Sequence, residues 1–127
     1  MAKRFFETSI WTQNKWFREM PPEGKLFWFY LIGNCDFVGV WEEDFGLASY
    51  ILGFTVTKEE FYPMLNGQIE IMSDKKIWIV GFCDFQYDTF IDGLSTSRPI
   101  QSYYRRLMDH GLYDRYTAVS KRVNEGF

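Results

Sequence analysis

The sequence is poor in the residue types that build disulfide frameworks and metal sites. It has two cysteines, Cys35 and Cys83, and one histidine, His110, among 127 residues. The cysteines lie far apart, without the paired spacing of a small secreted domain, and no standard zinc spacing joins them to the histidine. We therefore expect two reduced, buried thiols and no metal site.

Long apolar runs and an N-terminal leader are lacking as well. The main apolar run, from Leu26 to Gly33, has eight residues, whereas a membrane-spanning helix needs about 20. The first residues, MAKRFF, contain no apolar segment of the kind found in secretory signals. These absences predict a cytoplasmic protein with no membrane partner.

Motifs for enzyme chemistry are also missing. The sequence has no glycine-rich phosphate loop and no spacing that activates a cysteine or gathers metal ligands. His110 falls at the end of a predicted helix, where a cation is favoured, so a structural role is enough to explain it. We therefore predict no catalytic residue, no cofactor and no enzymatic activity.

Aromatic side chains, by contrast, are abundant and make up 20% of the sequence. They are densest just after Pro21 and Pro22, in the stretch LFWFYLI that ends at Ile32. A helix that is apolar on every side is surrounded by protein, whereas a base-stacking platform needs aromatic rings exposed on a sheet. We therefore interpret this stretch as a core helix that begins at Pro22, since proline ends the preceding helix and suits a first turn.

Periodicity and turn residues predict a definite order of elements. Helices are expected at about 13–20, 22–33, 43–52, 57–66, 97–110 and 112–123, and strands at about 38–41, 68–72 and 76–80. Residues 82–90 receive no firm assignment. Thr57 and Glu60 fit a capping box, while Pro63 should shorten or kink the helix that they begin.

This order is that of a winged helix, in which a hairpin follows two consecutive helices. We therefore predict the α+β class, as a winged helix-turn-helix with an extra N-terminal short helix and a C-terminal helical extension. Residues 1–127 form one domain in this interpretation. Its helix-turn-helix covers about 43–66, its wing hairpin about 68–80 and its C-terminal helical extension about 97–123.

Charge is distributed unevenly along the chain. The net charge is −3, whereas a nucleic-acid-binding domain usually has the opposite sign. Residues 1–34 carry +2 and residues 98–127 carry +3, while residues 35–80 carry −5. We therefore expect a polyanion to bind near the ends of the chain rather than at its acidic middle.

Four stretches together resemble one protein family. They are RFFETSIWTQNKWFREMPPEGKLFWFYLIGN, VGVWEEDFGLASYILG, KKIWIVGFCDFQY and RPIQSYYRRLMDHGL. In this order they resemble the opening of phage replisome-organiser and DnaD-like replication initiation proteins, over nearly all of residues 3–115. The resemblance implies an N-terminal winged-helix domain that binds DNA or self-associates. A second, helical domain usually follows in that family, and we expect the residues here to correspond to the first domain alone.

The candidate DNA-binding residues fall into three groups. They are Thr57, Lys58, Tyr62 and Asn66 on the presumed recognition helix, Lys75 and Lys76 at the hairpin turn, and Arg98, Arg105, Arg106, Lys121 and Arg122 toward the C-terminus. Lys58 is the only basic residue of the recognition helix, and Glu59 and Glu60 beside it oppose phosphate. The sequence therefore predicts weak, phosphate-dominated binding to duplex DNA, mainly through the hairpin and the basic C-terminal helix.

Two alternatives to DNA binding stay open at this point. The acidic middle of the chain and its surplus of aromatic residues suit a winged helix that self-associates or binds replication proteins. A transcriptional regulator with the same fold is also compatible with the sequence.

Overall fold

The computed structural model describes residues 3–65, 67–73 and 75–122. Its helices are α1 (Ile10–Gln13), α2 (Lys15–Arg18), α3 (Pro22–Asn34), α4 (Phe45–Leu52), α5 (Lys58–Phe61), α6 (Phe82–Gln86), α7 (Arg98–Asp109) and α8 (Tyr113–Val119), and its strands are β1 (Val40–Glu42), β2 (Ile69–Ile71) and β3 (Lys76–Ile79). Within the described residues the chain is thus a mixed α+β fold, as predicted. Asn66 and the predicted helix end at 123 lie outside the described residues.

The three strands form one antiparallel sheet in the order β1-β3-β2. In the hairpin, Ile69 lies opposite Ile79, and on the other side of β3 Trp78 lies opposite Val40. The hairpin predicted at about 68–80 is therefore confirmed, with shorter strands. This sheet order, together with two helices before the hairpin, is compatible with a winged helix.

The central strand β3 is buried on both faces, although successive strand residues point to opposite sides. On one side Ile77 joins a core that helices α1 to α5 supply, with Phe27 near its centre. On the other side Trp78 packs with Leu107 of α7 and Tyr116 of α8. The sheet is therefore the middle of three layers, between the N-terminal and the C-terminal helices.

The core helix α3 begins at Pro22, as the sequence predicts. Phe27 and Leu31 are fully buried in it. The Phe27 ring meets the rings of Trp41 and Phe61 edge to face, with centroids 5.9 and 5.3 Å apart. This arrangement is favoured for aromatic pairs, so the aromatic run serves core packing.

The single helix predicted at 13–20 is wrong. The structure has two four-residue helices instead, α1 and α2, and Asn14 between them has an extended backbone with ψ near 102°. The carbonyl of Asn14 accepts the backbone N–H of Arg18 at 2.9 Å, so this residue starts the second helix. The Asn14 side chain makes no capping hydrogen bond, so the break lies in the extended backbone at this residue.

Both helices before the hairpin have a side-chain cap at their start, and the cap at Thr57 is the one that the sequence predicts. Asp44 accepts the backbone N–H of Leu47 at the start of α4, and Gly53 ends that helix in the left-handed conformation. Thr57 accepts the N–H of Glu60 at 3.3 Å and so caps α5.

The helix predicted at 57–66 is wrong in its extent. It is α-helical for only four residues and continues as a 3₁₀ turn at Tyr62–Leu65. Proline has no N–H to donate, so Pro63 shortens the helix, as expected.

The C-terminal helices cover the face of the sheet that carries Trp78. The helix predicted at 97–110 is confirmed as α7, and the one predicted at 112–123 is the shorter α8. Arg115 of α8 forms a salt bridge with Glu70 of β2, and its Nε donates to the same carboxylate at 3.0 Å. This contact joins α8 directly to the edge strand of the hairpin.

Candidate nucleic-acid interface

The presumed recognition helix offers less to DNA than its sequence suggests. Lys58 is exposed, but the Thr57 hydroxyl oxygen is engaged as a helix cap. Tyr62 is only 6% exposed, and its hydroxyl donates to Glu43 at 2.7 Å. Burial, followed by this hydrogen bond, raises the pKa of Tyr62 above its usual value. A buried hydroxyl that already donates to a carboxylate cannot read a DNA groove, so Tyr62 is removed from the predicted set.

The two lysines of the hairpin lie next to acidic residues. Lys75 is exposed and has a positive φ of 60°, and its carbonyl accepts the N–H of Glu43 at 2.8 Å. Lys76 is half-buried and lies directly opposite Glu42 across the strands. Cross-strand partners of opposite charge attract each other, so the hairpin end is close to neutral rather than basic.

Three arginines lie on α7, and they differ in availability. The guanidinium of Arg106 lies over the ring of Phe37, 5.0 Å from its centroid. Arg98 and Arg105 are exposed and seven residues apart. Two helical turns separate them, which puts them on one face about 10 Å apart along the axis. The helix therefore presents two cations in a row to solvent.

The basic residues at the end of the described chain hold the fold together. The Arg122 guanidinium donates to the backbone carbonyls of Asp84 and Asp88, at 3.0 and 3.4 Å. The Asp84 carboxylate in turn accepts the Ser120 hydroxyl at 2.6 Å and the backbone N–H of Lys121 at 2.7 Å. Arg122 thus serves carbonyls near the end of α6, as cations often do at helix ends, and only the Lys121 side chain stays exposed.

The hairpin turn and the C-terminal end of α7 lie at opposite ends of the sheet. At one end of β1, Glu42 faces Lys76 of the hairpin. At the other end, the carbonyl of Val40 accepts the N–H of Asp36, whose carboxylate contacts His110 at 2.7 Å just after α7. The hairpin lysines and the end of α7 near Arg106 therefore do not converge on one site.

The sequence prediction missed an interface formed by the N-terminal segment, residues 3–6, which we call the arm. The side-chain amide of Gln86 accepts the N–H of Phe5 at 2.9 Å and donates to its carbonyl at 2.8 Å. Arg4 donates to the carbonyl of Cys35 at 3.3 Å and lies over the Phe82 ring. The aromatic residues of the arm and Gln86 were visible in the sequence, but nothing local indicated that they meet.

The two thiols are buried and protonated. Burial raises the pKa of Cys35 to about 12 and raises that of Cys83 as well. A protonated thiol is a poor nucleophile and a poor metal ligand. No group of three or more potential metal-ligating side chains occurs among the described residues, and none of the helices described there is long and apolar enough to cross a membrane.

Comparison of the chain with protein-family models, with curated proteins and with solved structures gave no match.

Proposed function

We propose that this chain is a DNA-binding winged-helix domain of a replication initiation protein from a phage or mobile element. The observation that carries the proposal is the exposed pair of arginines on α7, Arg98 and Arg105, attached to a sheet in the order β1-β3-β2. Four stretches between Arg4 and Leu112 resemble replisome-organiser proteins in sequence and in order, and this resemblance supports the same function. In this proposal the DNA surface is the polar face of α7.

The charges favour α7 over the hairpin as the surface for phosphate. The hairpin end has Glu42 and Glu43 beside its lysines, and α5 has Glu59 and Glu60 beside Lys58. On α7 three arginines stand against a single acid, Asp109. Basic residues without acidic neighbours supply most of the affinity for a nucleic-acid backbone.

The spacing of the two arginines suits a DNA strand. Phosphates follow one another about 3.4 Å apart along the axis of each strand, so about 10 Å spans roughly three of them. Arg98 and Arg105 therefore bind phosphates of one strand without reading bases. We expect weak affinity, little sequence preference and strong dependence on salt.

The test is a salt titration of binding to a short fluorescent duplex, measured by anisotropy. The variant Arg98→Ala with Arg105→Ala is expected to reduce the slope of log K against log salt by about 2, since each lost phosphate contact removes about 0.9. The matched control is Lys58→Ala with Lys75→Ala, which removes the same charge from α5 and the hairpin turn. If the control reduces the slope by more than the arginine variant does, the DNA surface is the recognition helix and the hairpin. If no binding is detected at low salt, the proposed function is wrong.

A second function, assembly, is favoured by an exposed apolar face on α4. Leu47, Tyr50 and Ile51 are 48%, 85% and 56% exposed and share one side of the helix, whereas Ala48 is buried. Such a face is typical of a protein–protein contact, and Asp44 at its start adds negative charge. Self-association or binding to a replication protein through α4 is compatible with DNA binding through α7.

Sedimentation of the purified chain over a range of concentrations tests the assembly function. We expect a concentration-dependent increase in mass that Tyr50→Ser with Ile51→Ser abolishes, because polar side chains remove the apolar contact. The control is Thr55→Ser, which leaves the α4 face intact. A chain that stays monomeric at the highest concentration rules out self-association by this face.

A further inference from the structure

A cavity of about 180 Å³ lies beside the N-terminal arm and is not filled by it. Its walls come from the arm, from α2 and α3, from the hairpin and from α6, with Trp16, Trp28, Phe29, Ile32 and Phe82 supplying apolar surface. A cavity of about 150 Å³ lined by apolar side chains is known to take a benzene molecule. The space is therefore large enough for one aromatic side chain.

The aromatic rings of Trp28 and Phe29 in the cavity wall are held in place by neighbouring rings. Trp28 is 7% exposed, and its ring meets that of Trp16 edge to face with centroids 5.1 Å apart. Phe29 is held on two sides, edge to face with Phe6 at 5.5 Å and stacked with Trp11 at 5.6 Å. Rings fixed in this way form a preorganised site, which lowers the entropic cost of binding.

The cavity also has polar groups suited to a peptide backbone. Gln86 already holds the backbone N–H and the carbonyl of Phe5, so one peptide segment is recognised here by its main chain. The side-chain amides of Asn14 and Gln68 also line the cavity, and they make no hydrogen bond to other described residues. A second extended segment can therefore be bound beside the arm in the same way.

The charge of Glu7 at the cavity indicates which residue of the ligand lies next to the bound aromatic side chain. Glu7 lines the cavity, is exposed, and forms no ion pair within the part of the chain that is described. A cation beside the aromatic side chain complements that carboxylate. The arm itself has this chemistry, since Arg4 precedes Phe5 and Phe6.

We propose that this cavity binds one aromatic side chain of an extended segment from a partner protein, with a lysine or arginine next to it. The resident arm forms one wall of the site and stays in place. A second copy of the chain is the weaker occupant, because its own tethered arm holds its contacts at a high effective concentration. The inference is independent of DNA binding through α7.

The probe is the blocked dipeptide N-acetyl-Phe-Lys-amide, followed through the indole N–H resonances of Trp16 and Trp28. We expect both resonances to shift saturably, with a dissociation constant on the order of millimolar for so small a ligand. N-acetyl-Ala-Lys-amide is expected to bind at least tenfold more weakly, and N-acetyl-Phe-Glu-amide several-fold more weakly because Glu7 repels it. Absence of saturable shifts in the unmodified chain overturns the proposal.

Variants locate the binding to the cavity. Ile32→Phe fills the space and is expected to weaken binding at least tenfold, while Leu26→Phe, a matched change on the exposed side of α3 away from the cavity, leaves it unchanged. If toluene binds as tightly as the dipeptide, the apolar surface of the cavity alone accounts for the affinity. That result contradicts the proposal that the site recognises a peptide backbone. Indole shifts that grow with protein concentration alone identify a second copy as the occupant and overturn the partner assignment.

Discussion

At the scale of single residues, Gly33 and Gly39 have opposite requirements. Gly39 has a φ of +97°, and an added Cβ stands 2.6 Å from the Cβ of Phe82 and 3.1 Å from the carbonyl of Ile79. Gly33 lies in α3 with no atom within 4 Å of an added Cβ. Gly39 is required because its φ is positive and because there is no room for a Cβ, whereas Gly33 only weakens the helix that contains it.

We predict that Gly33→Ala raises the free energy of unfolding by about 0.5 to 1 kcal/mol, because alanine is the better helix former. Gly39→Ala is expected to lower it by more than about 2 kcal/mol, since strain and overpacking add. Urea unfolding measures both variants. Similar free energies for the two variants contradict the local geometry at Gly39.

Buried thiols give the stability a defined dependence on pH. Burial raises the pKa of Cys35 from 9.0 to about 12, with Arg4 opposing the shift. Between these values the folded state keeps a proton that the unfolded state releases. Stability is therefore complete below about pH 9 and falls as the pH rises toward 12, by at most about 1.4 kcal/mol per pH unit for each such group.

Cys35→Ala is expected to make that alkaline loss less steep without removing it, because Cys83, Tyr62 and Tyr87 also have raised pKa values from burial. The measurement is the urea midpoint at intervals from pH 7 to 11. Below pH 9 the variant loses stability by a constant amount through lost packing. An unchanged alkaline slope shows that Cys35 ionises equally in both states.

At the scale of elements, the arm is an extended segment held by residues that are distant in sequence, namely Cys35, Phe29 and Gln86. Phe5 forms two backbone hydrogen bonds with the Gln86 side chain, and the residue is 71% exposed. A substitution at Gln86 therefore acts directly on the backbone of the arm at Phe5.

Gln86→Ala is predicted to accelerate hydrogen exchange of the Phe5 amide at least tenfold, because that amide loses its acceptor. Exchange at Gln13 in α1, whose amide bonds to the carbonyl of Ser9, is the internal control and stays unchanged. Gln86→Glu keeps the acceptor and is expected to have a smaller effect. Equal exchange of Phe5 in Gln86→Ala and the unmodified chain shows that other contacts hold the arm.

At the scale of the whole molecule, the sheet couples two cores that share β3. Leu31 belongs to the core under α3 and Leu107 to the core under α7, and both are fully buried. Ile77 and Trp78 of β3 pack into different cores. If one core unfolds and disrupts β3, the other core therefore loses the strand that it packs against. The structure therefore predicts one cooperative unit rather than a domain with a detachable extension.

Leu31→Ala and Leu107→Ala are each expected to lower the free energy of unfolding by about 2 to 5 kcal/mol. Both are expected to leave a single transition, with circular dichroism and tryptophan fluorescence coinciding in urea. Two separate transitions in Leu107→Ala, with only the second affecting α3, contradict the shared middle layer.

The sequence predicts most strongly where the cause is local. Pro22 begins α3 and Thr57 caps α5, each through an effect on backbone groups within a few residues. The single helix predicted at 13–20 was wrong because the extended backbone at Asn14 divides this part of the chain into α1 and α2. At 57–66 the sequence correctly predicts that Pro63 shortens the helix, and only the predicted length of the helix was wrong.

What the sequence determined by itself is the α+β class, the core helix, the hairpin and the uneven charge along the chain. Tertiary structure alone decided which polar side chains are available to a ligand: Arg115 bonds to Glu70, Arg122 bonds to carbonyls near α6, and Tyr62 is buried against Glu43. It also decided that the arm meets Gln86, which is 81 residues away. The reason is physical, since helices and turns form from neighbouring residues, whereas the partner of a side chain depends on which distant elements the two cores bring together.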